Sequence, residues 1–518
     1  MVPVTLRLGV AAIVAVAGMA AASAPVSAAS APVSQAPASA SAAALPPTPR
    51  VGMQDGWFVR PGNQGCAGNE ENSLAAPVPP PNYHTTIPTA VDDGRNWADL
   101  NIRYLRITIP WDIAYHHDHP IRVAGKHGSY TLDPNRILQV EQLCLDYWLG
   151  DINNANAVRA GKRMPPIEPQ VQFRPDYNDL GTKILRHSRS TVIVVPSIET
   201  YRKAIQAFIH TYSCATSSGQ PLPTCPRPTS LPQGLGVRAM TRVSTLTPWG
   251  EPDFYNSNGK PHATGARDGQ FYMPVGTRRF DQPGCESGTD TCGPVLAAQM
   301  WVATARRCHG CMVIAGTFSS NSGTKASTYL RTYAKHLDGL RPAVWAIDPY
   351  TDIDAFEYGC WNQRPRSSSA VGTYPANPPT PPHAHCPTPF KQSTLVWKYS
   401  TELATLGYRS HTRIWLGEIS TFYIDTIAHP GAWYGFQVQH QAADYLLKQL
   451  AKPGASTPPA DPYVARLYYM RYADGAGYPD FALVLANPAT TQQGPVAPGA
   501  EWRTPAYAAF QFRSAPQQ

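Results

Sequence analysis

Two glutamates of this charge-poor chain, in which 15% of the residues are charged, follow segments that favour an extended backbone. Glu251 follows TLTPWG (245–250), in which the Thr-Leu-Thr run favours a strand and Pro248 ends it. Glu418 lies in RIWLGEIS (413–420), near the end of a second β-rich run. Two carboxyl groups in one site can divide the roles of acid and nucleophile if their environments separate their pKa values. The pair therefore predicts acid/base chemistry, provided that the fold brings the two strand ends together.

The segments around these glutamates predict a repeating strand–helix architecture of the α/β class. From residue 50 onward, short β-branched runs alternate with longer amphipathic helical patterns, which is typical of parallel strands with crossover helices. Eight such strands close into a (β/α)8 TIM barrel. An open doubly wound sheet is the alternative, but no G-x-G-x-x-G motif opens a helix here. The predicted strands are 51–54, 102–109, 168–173, 242–246, 311–316, 343–347, 413–417 and 465–470.

Helical patterns and long loops fill the chain between these strands. The clearest helix is 197–212, which Ser197 caps and which carries apolar residues at i, i+3 and i+4 spacing. Similar patterns cover 294–307 and 434–450. Three segments rich in Pro, Gly, Ser and Cys are predicted to be enlarged loops: 213–236, 254–291 and 359–392.

The active residues of such a barrel lie at the carboxyl ends of its strands. Glu251 lies just beyond the fourth strand and Glu418 at the end of the seventh, across the barrel mouth, so the two carboxyl groups are expected to converge. Acid/base cleavage of a glycosidic bond requires two such groups, one protonated and one ionised. The sequence therefore predicts an enzyme that cleaves a carbohydrate.

Several segments resemble clan A glycoside hydrolases, the retaining barrel enzymes with catalytic glutamates after strands 4 and 7. TPWGEPD (247–253) is similar to their W-N-E-P-N segment, and RIWLGEIS to their I-W-x-T-E-x motif. NIRYLRITIPWD (101–112) resembles their second strand, AVWAIDPY (343–350) their sixth, and WRTPAYAAF (502–510) their closing helix. The resemblance extends over nearly all of the chain after residue 50 and is nearest to the bacterial branches around families 5 and 39.

The resemblance implies a role for each residue that matches these motifs. Glu251 would be the acid/base and Glu418 the nucleophile of a retaining double displacement. Arg106 matches the arginine that holds the nucleophile ionised, and Tyr350 matches the tyrosine that bonds the same carboxylate. The predicted substrate-binding residues are Trp111, Trp249, Gly250, Asp348 and Tyr472, with Tyr469 as an alternative to Tyr472.

Three positions depart from the family pattern. Gly250 stands where these enzymes have an Asn that donates to the substrate 2-hydroxyl, Asp348 stands in place of a His, and Asp253 replaces a second Asn. Loss of the 2-hydroxyl donor could mean weaker transition-state binding, a different sugar, or a decayed site. A non-catalytic carbohydrate-binding barrel is therefore the alternative function.

The N-terminal sequence predicts export. Arg7 precedes an apolar stretch (8–22) too short to span a bilayer well, and small residues at 26–28 suit cleavage. We expect residues 1–28 to be a signal peptide, the Ala/Pro/Ser-rich 29–50 a linker, and 51–518 the catalytic barrel of a secreted, extracellular protein.

The expected partner is a carbohydrate substrate. The net charge is +8, but no run of Lys or Arg concentrates it, which argues against nucleic-acid binding. No other apolar run approaches membrane-spanning length, so no membrane partner is expected. The protein is expected to be a monomer.

Ten cysteines in an exported chain predict disulfides, because that compartment is oxidising. The pairs closest in sequence are 214/225, 285/292, 308/311 and 360/386, which leaves 66 and 144 to pair with each other. The CHGC run at 308–311 could be a redox or zinc motif, but it lacks a second ligand pair. HHDH (116–119) could also ligate a metal, although adjacent loop histidines more often contact solvent or substrate. No metal and no cofactor is predicted.

Overall fold

A computed structural model of the protein describes most of its barrel. The chain divides into residues 1–45 and 46–518, and every described residue belongs to the second unit. The predicted signal peptide and all of the predicted linker except Arg50 lie outside the described residues. The described residues are 50–54, 103–119, 121–125, 128–132, 134–174, 196–215, 220–226, 239–253, 292–319, 326–362, 386, 393–408, 412–421, 433–450, 463–470, 484–485, 502–503 and 505–510.

The main sheet is built from parallel strands that follow one another around a barrel. Each strand pairs in parallel with the preceding and the following one, and the last pairs with the first. The strands are β1 Arg50–Gln54, β2 Tyr104–Pro110, β3 Glu168–Arg174, β4 Thr245–Thr247, β5 Met312–Val313 with Ala315–Ser319, β6 Val344–Asp348, β7 Arg413–Ile419 and β8 Tyr463–Met470.

Strand β5 closes the barrel. Its first half pairs with β4 and its second half with β6, and only Ile314 separates the two halves. The Ile314 N–H donates to the Leu246 carbonyl at 2.8 Å, so the chain stays hydrogen-bonded to the β4 side through the interruption. The predicted (β/α)8 barrel is confirmed, and each predicted strand overlaps an observed one. The linker boundary needs a correction of one residue, because Arg50 already belongs to β1.

Eight α-helices lie within the described residues. Helix α2 shows why these sequences are helical: the Ser197 hydroxyl accepts the Thr200 N–H at 3.1 Å, and the predicted apolar face is buried. The helices are α1 Pro134–Gly161, α2 Ile198–Tyr212, α3 Cys292–Arg307, α4 Ala326–Lys335, α5 Tyr350–Asn362, α6 Leu395–Thr405, α7 Trp433–Tyr445, which a π-helical turn (Leu446–Leu450) extends, and α8 Pro505–Phe510. None of them has the length and apolar character needed to cross a bilayer.

Three short antiparallel strand pairs lie outside the main sheet. They are Ile121–Gly125 with Gly128–Leu132, Thr224–Pro226 with Ala239–Thr241, and Val484–Leu485 with Trp502–Arg503. The second pair shows that the predicted loop 213–236 contains a strand, which the sequence analysis did not predict.

The buried apolar residues form two separate cores. The larger core lies between strands and helices, and the smaller core lies inside the barrel around Tyr104, Trp415 and Tyr468. The guanidinium carbon of Arg466 lies 3.6 Å from the Tyr104 ring centroid and 3.9 Å from that of Trp415. Its Nη1 donates to the Tyr468 hydroxyl at 3.0 Å. The amino half of the barrel interior is therefore packed around a charge held between aromatic rings.

Three of the predicted disulfides are present. The Cα–Cα distances are 5.7 Å for Cys214–Cys225, 5.4 Å for Cys308–Cys311 and 4.4 Å for Cys360–Cys386. The CHGC cysteines are thus bonded to each other. In each of the pairs 285/292 and 66/144, at least one cysteine lies outside the described residues.

Candidate active site

Glu251 is held by hydrogen bonds from its own loop to both neighbouring strands. The Gly250 N–H donates to the Phe173 carbonyl of β3 at 2.8 Å, and the Glu251 N–H donates to the Thr317 carbonyl of β5 at 3.0 Å. Glu251 has a φ of 42° and Thr317 a φ of 80°, both in the left-handed region that residues other than glycine seldom adopt. These two strands therefore fix the direction in which the Glu251 side chain leaves the loop.

A bulge in β7 determines the direction of Glu418. Leu416 pairs with Leu467 and Ile419 with Tyr469, so three steps along β7 match two steps along β8. Leu416 and Ile419 both pack in the outer core. Strict alternation would have turned Glu418 toward the helices, and the extra residue turns it to the barrel mouth.

Tyr350 bonds Glu418 directly. It is the first residue of α5, and one residue, Pro349, separates it from the end of β6. Its hydroxyl donates to Glu418 Oε1 at 2.8 Å. The sequence resemblance implied this contact, and the structure brings these two residues together.

The environment of Glu251 favours its protonated form. Burial raises the pKa of Glu251 to about 8, and the charges of Glu418 and Asp253 act in the same direction. A hydrogen bond from Ser319 and the charge of Arg106 act in the opposite direction. Asp253 Oδ1 accepts the Ser319 N–H at 2.7 Å, so Asp253 also orients the serine that contacts Glu251. Ser319 was not among the site residues predicted from the sequence.

The side chains of Arg106 and Asp348 both lie next to Gly417, the residue before Glu418. A Cβ on Gly417 would stand 2.7 Å from Asp348 Oδ1, 2.8 Å from Thr317 Cγ2 and 3.3 Å from Arg106 Nη1. Burial raises the pKa of Asp348 well above its usual value, the charge of Arg106 opposes this shift, and Glu251 adds to it. Among the described residues, no hydrogen-bond acceptor contacts the guanidinium of Arg106. Its support of Glu418 stays a prediction.

Several predicted sugar-binding aromatics pack into the protein. Trp111 and Trp249 are each 2% exposed and belong to the outer core, so they present little ring surface to a ligand. The Tyr469 hydroxyl lies 2.8 Å from Thr421 Oγ1 inside the protein. Tyr469 is a core residue, and Tyr472 lies outside the described residues.

The HHDH segment forms a local polar cluster. His117 Nε2 lies 2.6 Å from Asp112 Oδ2, and the His117 carbonyl accepts from the Asn135 amide at 2.8 Å. Across the part of the chain that the structure describes, no group of three His, Cys, Asp or Glu side chains is arranged to hold a metal ion.

No family model and no curated protein matches this chain, whereas solved structures do. The structural neighbours are glycosidases. One is a glucosidase from Croceicoccus marinus, with 12% sequence identity and a TM-score of 0.40; the match covers 88% of this chain and 67% of that one. Another is a β-xylosidase from Caulobacter crescentus CB15, with 12% identity and a TM-score of 0.39; the match covers 90% of this chain and 69% of that one. A family 5 lichenase from Caldicellulosiruptor sp. F32 also matches, with 10% identity and a TM-score of 0.37; the match covers 90% of this chain and 92% of that one. The fold assignment rests on the closed parallel sheet.

Proposed function

We propose that this protein is a secreted retaining glycoside hydrolase that cleaves O-glycosidic bonds of an oligo- or polysaccharide. One observation carries the proposal: two glutamates at the carboxyl ends of β4 and β7 have opposite environments. Glu251 has a pKa of about 8 and so holds a proton at neutral pH, whereas Glu418 accepts a hydrogen bond from Tyr350. This is the division into acid and nucleophile that a double displacement requires.

In the first step, the Glu418 carboxylate attacks the anomeric carbon as the bond from that carbon to the leaving oxygen breaks. The proton of Glu251 passes to the leaving oxygen. The products are a glycosyl ester of Glu418, the released alcohol and an ionised Glu251.

In the second step, water attacks the anomeric carbon as the bond from that carbon to Glu418 breaks, and Glu251 takes a proton of that water. The products are the free sugar, an ionised Glu418 and a protonated Glu251. Esterification has removed the charge of Glu418, which is one of the causes that raise the pKa of Glu251. The pKa of Glu251 therefore falls in the intermediate, which suits its role as a base.

The N-terminal sequence supports export, and the three disulfides agree with an oxidising compartment. Intact-mass analysis of the protein collected from the medium should show loss of about 28 residues, as expected for signal-peptide cleavage. A retained N-terminus would contradict export by this route.

A mechanism-based label tests the proposed chemistry. An activated 2-deoxy-2-fluoro glycoside, chosen from a panel of aryl sugars, should add one glycosyl mass to Glu418, and Glu418→Gln should take up none. NMR of early product should show retained anomeric configuration. An inverted product would contradict the role of Glu418 as a nucleophile. Sugar binding with neither label nor turnover would instead identify a carbohydrate-binding barrel, the alternative that Gly250 suggests.

A further inference from the structure

Gln172 is a buried amide near the barrel mouth that the sequence analysis did not single out. Its neighbours Val171 and Phe173 pack in the outer core, so the alternation of β3 turns Gln170 and Gln172 into the barrel. Gln170 Nε2 donates to Thr247 Oγ1 at 3.0 Å. Gln172 lies two residues nearer the mouth and is 5% exposed, and its Oε1 has no hydrogen-bond partner among the described residues.

Gln172 occupies the space that a side chain at residue 250 would fill. A Cβ on Gly250 would stand 2.7 Å from Gln172 Cδ and 3.1 Å from its Cγ. The φ of Gly250 is not in the left-handed region, so the backbone does not require glycine at this position. The physical reason for glycine here is the room that it leaves for the amide of Gln172.

The amide is also next to the loop that carries the acid. The hydrogen bond from the Gly250 N–H to the Phe173 carbonyl joins the residue before Glu251 to the residue after Gln172. A side-chain amide offers both a donor and an acceptor, the combination that binds a hydroxyl group. A buried amide oxygen without a protein partner is costly, and a ligand hydroxyl would satisfy it.

We propose that Gln172 binds the 2-hydroxyl of the sugar unit whose anomeric carbon reacts. This inference rests on the proposed function. The 2-hydroxyl is on the carbon next to the anomeric carbon, so of the ring hydroxyls it is the one nearest to the atoms on which Glu251 and Glu418 would act. Hydrogen bonds to this hydroxyl strengthen in the transition state of glycoside cleavage. Gly250 then does not mark a lost function, because the amide has moved from the β4 loop to β3.

Two substrates and two variants test this role. The aryl glycoside that the protein hydrolyses fastest is compared with its 2-deoxy analogue. Gln172→Leu should lower kcat/KM by roughly 100-fold for the 2-hydroxy substrate and change the 2-deoxy value by less than about threefold. The matched control is Gln170→Leu, on the same strand, which should affect both substrates by the same factor. Equal losses on both substrates in Gln172→Leu would overturn the proposal.

A double variant that removes the amide from residue 172 and introduces one at residue 250 provides a second test. Gln172→Ala should lose activity on the 2-hydroxy substrate, and Gly250→Asn should lose it as well because its side chain meets Gln172. The double variant has space for the introduced asparagine and should regain at least about tenfold over Gln172→Ala, on the 2-hydroxy substrate alone. Additive losses in the double variant would contradict the proposal. Thermal unfolding of each variant verifies that it is folded.

A binding measurement distinguishes failure of the proposed hydrolase function from failure of the proposed role of Gln172. If the unaltered protein hydrolyses no member of the panel, calorimetry measures its affinity for the same pair of glycosides. A preference for the 2-hydroxy ligand that Gln172→Leu abolishes would uphold the role of Gln172 in a binding site. Equal affinities, or no binding, would overturn it.

Discussion

The barrel encloses two buried arginines whose surroundings differ. In the amino half, Arg466 lies over the rings of Tyr104 and Trp415 and donates to Tyr468. In the carboxyl half, Arg106 lies among carboxyl groups, without a hydrogen-bond acceptor among the described residues. Aromatic rings and one hydrogen bond hold the first charge, although Arg466 Nε has no partner, whereas all three guanidinium nitrogens of Arg106 lack one among the described residues. Stability is therefore concentrated at one end of the barrel and chemistry at the other.

The largest effect is expected at the carboxyl end. Glu418→Gln removes the proposed nucleophile and should reduce hydrolysis of every substrate to background, as measured by release of an aryl alcohol. Glu168→Gln is a matched control, because Glu168 begins β3 at the amino end and pairs with Arg103. Turnover that survives in Glu418→Gln would place the chemistry elsewhere in the protein.

The effect of removing Glu251, the proposed acid, should depend on the leaving group. Glu251→Ala should lower kcat on natural sugars by about 10²–10⁴-fold, while an aryl glycoside with an acidic phenol keeps most of its glycosylation rate because it needs no protonation. Azide should accelerate the variant by attacking the intermediate, giving a glycosyl azide of retained configuration. Equal losses on both kinds of substrate would show that Glu251 does not act as the acid.

Replacing Arg466 and Arg106 separately with methionine tests whether the two ends of the barrel have these different roles. Arg466→Met should lower the free energy of unfolding by about 2–4 kcal/mol, because two ring contacts and a hydrogen bond are lost, with kcat nearly unchanged. Arg106→Met should change that free energy by less, because Glu251 and Asp348 can hold protons once the charge that favours their ionised forms is gone, and should lower kcat on the order of 100-fold. Denaturant titration and kinetics distinguish the two outcomes. Similar profiles for both variants would refute the division between the two ends.

The same Arg106 variant should also shift the pH profile. Activity of the unaltered protein should fall as the pH rises through about 8, where Glu251 loses its proton. The charge of Arg106 lowers the pKa of Glu251, so Arg106→Met should move this alkaline limb to higher pH. An alkaline limb that moves down or stays in place would contradict the coupling.

The proton of Glu251 should also make the stability of the protein depend on pH. The folded-state pKa of Glu251, about 8, lies above its usual 4.5, so the folded protein holds a proton that the unfolded chain releases between these values. This contribution is fully present below the lower pKa and is lost as the pH rises toward the upper one. Glu251→Gln cannot ionise, so its melting temperature relative to the unaltered protein should increase from pH 5 to about pH 8. A constant difference would show that the pKa of Glu251 is close to its usual value.

The strand order and the positions of the glutamates could be predicted because they follow from local patterns. Runs of β-branched residues determine the strands, and parallel strands place Glu251 and Glu418 at the same end of the barrel. The contact of Tyr350 with Glu418 could be anticipated only through the resemblance, since nothing in AVWAIDPY by itself points at β7.

Side-chain directions at the mouth could not be predicted, because they depend on register shifts. The bulges at Thr317 in β5 and between Leu416 and Ile419 in β7 are long-range pairing features without a local sequence signal. Gln172 did carry a signal, since glutamines alternate with apolar residues in QVQF (170–173) and interior-facing amides are unusual in a barrel. Trp111 and Trp249 are buried, which the sequence did not indicate, because aromatic residues near a site also serve packing.

Gly417 limits how this site can change over evolutionary time. The methyl group of an alanine would meet Asp348, Thr317 and Arg106, which come from three different strands. A side chain at 417 would need room from all three residues at once, which no single substitution provides. Mutational paths toward new substrates will therefore run through the loops and the surrounding side chains, and the glycine will stay fixed along them.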